Sequence, residues 1–338
     1  EDKRDSKVTI NPIRTLSGVA PLALMTKPVA CKHGRCTFCP GGPGSAFGDV
    51  PQSYTGNEPS TMRAIRANYD PYIIVFNRLE QYILLNQIPE KVELIIQGGT
   101  FPSFDKDYQE YFMKYVYKAL NDFSKLFFKN NKFNFSRFKE FFELPGDKDN
   151  LDRTKEIQLK LLELKGECNL QDELIKNQTA QIRAIACCIE TKPDWCFEEH
   201  INNMLEQGTT RVELGIQTIY DEVLKKTNRG HTIQDSLKAI QLIKDSFLKC
   251  VFHVMPGLPL TTKEMDINCF KEYFDNPNYK PDGLKIYPCM VMQGTILYHD
   301  FINGKFKPLS TEEAAEIIYE GKKYIKEYCR IYRVQRDI

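Results

Sequence analysis

The chain has 338 residues, 42% of them hydrophobic and 27% charged, with 46 Lys and Arg against 45 Asp and Glu. That composition excludes a disordered scaffold and supplies enough apolar material for one large core or two smaller ones. A net charge of +1 says nothing by itself about nucleic acid, and no apolar run of the ~18 residues needed to span a bilayer occurs.

The N-terminal stretch "EDKRDSKVTI" has no apolar segment behind its charges, so no secretory signal is visible and a cytoplasmic setting is expected. Residues 1–18 read as a basic N-terminal segment and 19–338 as one α/β barrel. Short apolar runs then recur: "VAPLALM" (19–25), "VELIIQGG" (92–99), "IRAIACCIET" (182–191), "RVELGIQT" (211–218), "CVFHVMP" (250–256) and "GLKIYPCM" (283–290). Each is nearly continuous in apolar residues, as expected of parallel strands buried on both faces. The stretches 60–88, 104–122, 195–207, 232–247, 263–275 and 311–327 carry helical spacing, with a short helix and turn at 221–232. Six strand–helix units in alternation suit a parallel (β/α)6-type barrel, complete or open on one side. The Lys-, Asn-, Glu- and Phe-rich segment at about 120–180 has no strand pattern and reads as a helical insertion, its phenylalanines packing it onto the barrel wall.

Eleven cysteines, an odd number scattered along a long chain, point to reduced thiols. Cys187, Cys188, Cys250 and Cys289 lie in apolar runs and read as core. Cys31, Cys36 and Cys39 are different, because "CKHGRCTFCPGG" crowds them into a loop directly after the first strand. Their C-x4-C-x2-C spacing suits three corners of an iron–sulfur cubane. Zinc with His33 as a fourth ligand, or a loop without metal, remain as alternatives at this point. In a parallel barrel the chemistry gathers at the C-terminal strand ends, where the later runs place Gly98-Gly99-Thr100, Glu190, Gln217, the turn Pro256–Pro259, Lys285 and Tyr287.

The strings "PGGPGSAFGDVPQSYTGNEPSTMRAIRANYDPY" (40–72), "KVELIIQGGTF" (91–101), "IETKPDWC" (189–196), "TRVELGIQTIYDEVLKKTNRGHT" (210–232), "HVMPGLP" (253–259), "PDGLKIYP" (281–288) and "YRVQRDI" (332–338) appear in this order. With the cysteine loop they resemble the Elp3 family, the catalytic subunit of Elongator and its single-chain relatives, within the radical S-adenosylmethionine superfamily. The resemblance implies a partial parallel (β/α)6-type barrel and a [4Fe-4S] cluster on Cys31, Cys36 and Cys39. It implies S-adenosyl-L-methionine held against Gly98, Gly99 and Thr100, with Glu190 and Gln217 on its ribose or methionine portion. Acetyl-CoA is implied as co-substrate, with Lys91 and Lys285 as candidate contacts; an ordinary solvent lysine is the other reading of Lys285. The implied reaction is radical transfer of a two-carbon unit to C5 of wobble uridine 34 of tRNA, giving 5-carboxymethyluridine.

Arg63 and Arg66, three apart on a helix, with the N-terminal Lys and Arg and Arg330, Arg333 and Arg336, form a candidate track for the tRNA backbone. Tyr54 is a candidate to stack on the extruded base. Implied partners are the tRNA anticodon loop, a reductant, and other Elongator subunits or further copies of the chain; no membrane is implied. Family members continue past "YRVQRDI" into an acetyltransferase-like domain, which this sequence does not include. A different radical reaction, such as methylthiolation or porphyrinogen oxidation, or a tRNA-binding scaffold whose cysteine loop holds zinc or no metal, are the competing expectations.

Overall fold

The structure is a computed structural model that describes residues 15, 17–146 and 150–335. Most of the basic segment expected over 1–18, and Arg336, lie outside the described residues. The chain begins with strands β1 (Val19–Met25), β2 (Gly42–Ser45) and β3 (Gly48–Val50) and helices α1 (Pro59–Arg66) and α2 (Pro71–Leu84). Strand β4 (Lys91–Gln97) leads to α3 (Lys106–Phe127), the hairpin β5 (Phe128–Lys129) and β6 (Lys132–Phe133), then α4 (Phe135–Phe141), α5 (Leu151–Lys165) and α6 (Leu170–Asn177). Next come β7 (Arg183–Thr191), α7 (Glu198–Glu206), β8 (Arg211–Gln217), α8 (Asp221–Lys226), α9 (Ile233–Asp245) and β9 (Lys249–Val254). The chain continues through α10 (Lys263–Asp275), β10 (Gly283–Ile286), α11 (Ile296–Ile302), α12 (Thr311–Lys322) and β11 (Arg330–Val334).

One sheet has the order β1-β4-β7-β8-β9-β10-β11, and the pairs from β7 to β11 are parallel. The order is linear, so the barrel is partial and β1 and β11 are its edges. All six expected strands are present, and β8 and β10 bury nearly every residue, as strands covered on both faces must. Cys187, Cys188, Cys250 and Cys289 are buried in this core. The seventh strand was not anticipated. As an edge it leaves Arg330, Ile331, Arg333 and Val334 exposed, so its sequence reads as a solvated basic tail.

The long helix expected over 60–88 is two helices. Asn68 and Tyr69 adopt left-handed backbone angles of 48° and 57°, and Pro71 disfavours a helical residue before it. Asp70 then caps α2, accepting from the amides of Tyr72 and Ile73 at 3.0 and 3.2 Å.

The chain divides into two compact units. The first comprises Glu1–Thr26, Arg63–Ile95 and Asp105–Cys187. Its core is aromatic: Phe127 lies 4.7 Å from Phe123, 5.5 Å from Phe138 and 5.4 Å from Phe141 between ring centroids, and Phe123 meets Phe76 of α2 at 5.3 Å. The phenylalanines of the 120–180 segment therefore fasten α4 to α2 and α3. That segment is helical as expected, apart from the small β5–β6 hairpin. Asn130 and Asn131, both at positive φ (51° and 60°), form its primed two-residue turn. The second unit comprises Lys27–Met62, Ile96–Phe104 and Cys188–Ile338, and it contains the cysteine loop and the C-terminal ends of β4 and β7 to β11.

Phe127 is fully buried among rings, so Phe127→Ala is expected to cost about 3–5 kcal/mol. The check is a lowered midpoint of guanidinium unfolding, followed by circular dichroism, against an unchanged midpoint for Phe247→Ala, whose ring is exposed.

Candidate functional site at the strand ends

After β1 the chain runs through the cysteine loop, which backbone hydrogen bonds fix in place. The amide of Thr37 donates to the Thr227 carbonyl at 3.1 Å and the amide of Leu297 to the Thr37 carbonyl at 2.9 Å. Cys36 and Cys39 are buried and Cys31 is half-buried. Each sulfur has its own polar neighbours. Cys31 Sγ lies 3.7 Å from Thr100 Oγ1. Cys36 Sγ lies 3.3 Å from His33 Nε2 and 3.5 Å from Arg229 Nη1. Cys39 Sγ lies 3.1 Å from Gln52 Oε1 and accepts from the Ser53 amide at 3.2 Å. Burial first, then the neighbouring Cys36, pushes the Cys39 thiol up to about 11, and burial likewise raises Cys31. Both shifts favour the protonated thiol, in Cys31 against the smaller opposing effects of the Thr100 hydrogen bond and the charges of Lys192 and Arg229. Iron or another cation would be needed to ionise them.

The end of β4 supplies Gly98 and Gly99, whose φ angles of 124° and 98° are open to glycine alone. A Cβ on Gly99 would come within 3.0 Å of the Gln52 Cβ, so the turn sits directly on the residue that meets Cys39. Thr100, next in line, is buried. At the end of β8, Gln217 takes φ +69°, a strained angle for a residue with a side chain, where the register against β9 shifts between Leu214 and Gln217. Buried polar atoms with no hydrogen-bond partner among the described residues include Gln97 Oε1, Gln217 Oε1 and Arg229 Nε, along with Thr37 Oγ1 in the cysteine loop.

Behind these residues lies a buried charge network. Glu190 and Glu213 are directly opposite each other on β7 and β8, an arrangement that repels unless a cation intervenes. Lys285 of β10 provides it, its Nζ lying 3.3 Å from Glu190 Oε1 and in an ion pair with Glu213 Oε2. Glu213 also bonds to Arg211 Nη2 at 3.1 Å and to His253 Nε2 at 2.9 Å. Glu190 accepts from the Tyr54 hydroxyl at 3.1 Å and from Gln97 Nε2 at 3.3 Å. The guanidinium of Arg211 lies over the Tyr332 ring at 4.8 Å. Burial by itself would raise the Glu213 carboxyl. The His253 hydrogen bond and the charges of Lys285, His253 and Arg211 outweigh it and hold that carboxyl well below the usual range. Burial would lower the Lys285 ammonium, but Glu190 and Glu213 drive it upward. Tyr54 is held well above its ordinary value by burial and by Glu190.

The chain matches the profile of the Radical SAM superfamily over residues 146–268 and that of the Radical SAM C-terminal domain over 281–338. It is 46% identical over 327 residues to the tRNA uridine(34) acetyltransferase of Methanocaldococcus jannaschii, covering 97% of this chain and 53% of that protein. It is 37% identical over 337 residues to human Elongator complex protein 3, covering 98% of this chain and 54% of the other. The archaeal Methanocaldococcus infernus Elp3 with N-terminus deletion (1-46) superposes with a TM-score of 0.70 at 36% identity, over 95% of this chain and 57% of that one. This chain belongs to the Elp3 family of radical S-adenosylmethionine proteins. It spans about half the length of the curated relatives it matches.

The Elp3 family implies S-adenosylmethionine and a [4Fe-4S] cluster, and the donor set fits both. Among the described residues, three or more ligand atoms gather within 4.8 Å of one another only at Glu190, Glu213 and His253. The cysteine trio is thus not closed around one ion, as zinc with sulfur bonds of ~2.3 Å would require. Both carboxylates of that other group are already engaged by Lys285. The unpartnered Gln97, Gln217 and Arg229 atoms suit a ligand carrying amino, carboxylate and hydroxyl groups.

Of the residues expected from sequence, Cys31, Cys36, Cys39, Tyr54, Gly98, Gly99, Thr100, Glu190, Gln217 and Lys285 all fall in the second unit, at or just behind the strand ends. Lys285 is buried, which removes its reading as a solvent lysine. Lys91 is exposed at the first residue of β4, the end opposite Gly98, about 20 Å away along the strand. Arg66, Arg330 and Arg333 are exposed, whereas Arg63 is half-buried; burial and nearby Arg78 lower its guanidinium to about 10. Sequence reading missed Gln52, Arg211, Glu213, Arg229 and His253. A usable signal existed for two of them, because "RVELGIQ" places Arg211 and Glu213 two apart in an otherwise apolar strand, hence on one face.

The depressed Glu213 carboxyl gives stability that is complete above the ordinary Glu value of about 4.3 and is lost as pH falls below it through the folded value. Glu213→Gln leaves Lys285 and Arg211 undercompensated. It is expected to lower stability by about 3–5 kcal/mol at pH 7 and to flatten the acid limb below about pH 4. Urea unfolding across a pH series reads both effects.

Proposed function

We propose that the chain carries the radical centre of a tRNA-modifying transferase acting at C5 of wobble uridine 34, using a two-carbon unit from acetyl-CoA and leading to 5-carboxymethyluridine. The observation that carries the proposal is the gathering of three cysteines, the Gly98-Gly99 turn and the unpartnered Gln217 and Arg229 atoms in one unit. The 46% identity to a tRNA uridine(34) acetyltransferase supports the substrate. Uracil C5 and the α-carbon of an acetyl thioester enolate are both nucleophilic, so acid–base side chains alone are poorly matched to joining them. When bound, the cluster and S-adenosylmethionine would supply the one-electron chemistry.

In this reading Cys31, Cys36 and Cys39 hold the cluster, and the missing Cβ atoms of Gly98 and Gly99 admit the methionine portion of the cofactor beside Thr100. Gln217, strained and unpartnered on one oxygen, faces the ribose or methionine groups. Glu190 shares that role while its carboxylate is held by Lys285, Tyr54 and Gln97. The charges of Glu190, Glu213, Lys285 and Arg211 compensate one another within the interior. Lys285 would have to leave one carboxylate to meet a CoA phosphate, and Lys91 would act away from the strand ends. Tyr54 would stack on the base only with its hydroxyl still directed at Glu190. Arg66, Arg330 and Arg333 offer exposed charge for the tRNA backbone, with Arg63 half-buried one turn before Arg66 on the same helix. A cytoplasmic setting, a reductant, and other Elongator subunits or a second copy of the chain belong to the same proposal; among the described residues no helix is long and apolar enough to cross a membrane.

Anaerobic reconstitution is expected to yield a brown protein with about four irons, lost on Cys→Ala changes at 31, 36 or 39. In a longer chain that also carries the acetyltransferase-like domain, incubation with tRNA, acetyl-CoA, S-adenosylmethionine and dithionite is expected to form 5′-deoxyadenosine and a C5-modified uridine. The present residues alone are expected to give little complete turnover. 5′-Deoxyadenosine without any modified uridine from the longer chain would assign a different radical reaction, and zinc without iron would assign a scaffold. Replacing Arg330 and Arg333 together by Ala is expected to weaken tRNA binding at low salt and to reduce the slope of log K against log salt by about 0.7–0.9 per lost phosphate contact. Filter binding at several salt concentrations measures it.

A further inference from the structure

The charged pair Lys192–Asp194 follows β7 directly and has no part in the chemistry above. Lys192 is buried, with its Nζ 3.2 Å from Asp194 Oδ2 and 2.9 Å from His33 Nδ1. The other ring nitrogen of His33, Nε2, lies 3.3 Å from Cys36 Sγ. A lysine ammonium only donates hydrogen bonds, so His33 Nδ1 must accept and the ring proton must sit on Nε2. That N–H then points at the Cys36 sulfur. The ring is seated by Gly230, at φ +74°, where a Cβ would come within 2.5 Å of the His33 Cβ. Arg229, the preceding residue, brings its Nη1 to 3.5 Å from the same sulfur.

We infer that Lys192 and His33 form a positioning relay: the Lys192 ammonium fixes the His33 tautomer so that Nε2–H donates to Cys36 Sγ and raises the reduction potential of the cluster that sulfur helps hold. The inference rests on the cluster reading of Cys31, Cys36 and Cys39. Hydrogen bonds to a ligand sulfur stabilise the more negative, reduced state, and a histidine acts in this way only in one tautomer. Asp194 Oδ2 holds the same ammonium in an ion pair at 3.2 Å. The arrangement also assigns His33 a role other than fourth metal ligand, because the nitrogen nearest the sulfurs carries a proton instead of a free lone pair.

Two measurements test it. In metal-free protein with 15N-labelled histidine, the His33 signals, assigned by their loss in His33→Gln, are expected to show protonated Nε2 and bare Nδ1, and this preference is expected to disappear in Lys192→Met. In reconstituted protein, His33→Ala and Lys192→Met are each expected to move the midpoint potential downward. The shift corresponds to about a tenfold smaller reduced fraction at fixed poise, or about 59 mV for one electron. The double variant is expected to match His33→Ala alone. An Nδ1–H tautomer in the wild type overturns the relay. So does an unmoved potential in variants that retain iron, or shifts that add in the double variant. Should His33→Ala fail to retain iron, Lys192→Met and the tautomer measurement decide the matter. A wild-type chain that takes up no iron overturns the cluster reading instead, and is recognised by iron and sulfide analysis before any potential is measured.

Discussion

The burial of the Glu213 carboxylate beneath the strand ends is the constraint around which the second unit is arranged. An ion removed from water costs several kcal/mol unless its partners are in place, and here those partners come from separate strands: Arg211 from β8 itself, His253 from β9 and Lys285 from β10. The register brings them together, since Lys285 pairs with His253 across β9 and β10 while Glu190 pairs with Glu213 across β7 and β8. A one-residue slip of any of these strands would turn its charged side chain to the opposite face and strand the others. The network thus specifies register in a sheet whose apolar residues alone would tolerate several alignments.

Around that interior, the loops at the strand ends depend on one another. The cysteine loop is tied through Thr37 to Thr227 and Leu297. Gln52 lies between the Gly99 turn and Cys39, and Arg229 reaches from the Gly215 carbonyl at 2.8 Å to Cys36. Gly215 itself leaves the space for that guanidinium, because a Cβ there would stand 2.9 Å from Nη2. Segments far apart in the chain therefore present their sulfurs, glycines and unpartnered amides to one place. In the first unit the fastening is different in kind: aromatic rings hold α4 against α2 and α3, and Asn121 joins α3 to α6 by donating to Glu173 Oε2 at 2.7 Å.

Much of this was legible in the chain. The apolar runs are long enough, and flanked clearly enough by helical spacing, that all six strands and the barrel class followed from periodicity, and the cysteine spacing singled out the loop. Less visible were elements whose burial is one-sided or whose turns depend on backbone angles. The strand β11 is an edge dressed in arginine, and the β5–β6 hairpin rests on two asparagines at positive φ. The break between α1 and α2 was marked by Asp70-Pro71, a signal that the apolar spacing on either side obscured.

Sequence by itself determined the strands, the helices between them, the loop that carries three thiols and the glycine pair at the second strand end, because periodicity, turn chemistry and ligand spacing are local properties. Tertiary structure alone decided that Lys285 is an interior counter-ion, that Lys91 stands at the far end of its strand, and that Lys192, His33 and Arg229 converge on Cys36. Those outcomes depend on strand register and on which buried charges can neutralise each other, and neither is written in any single stretch of the chain.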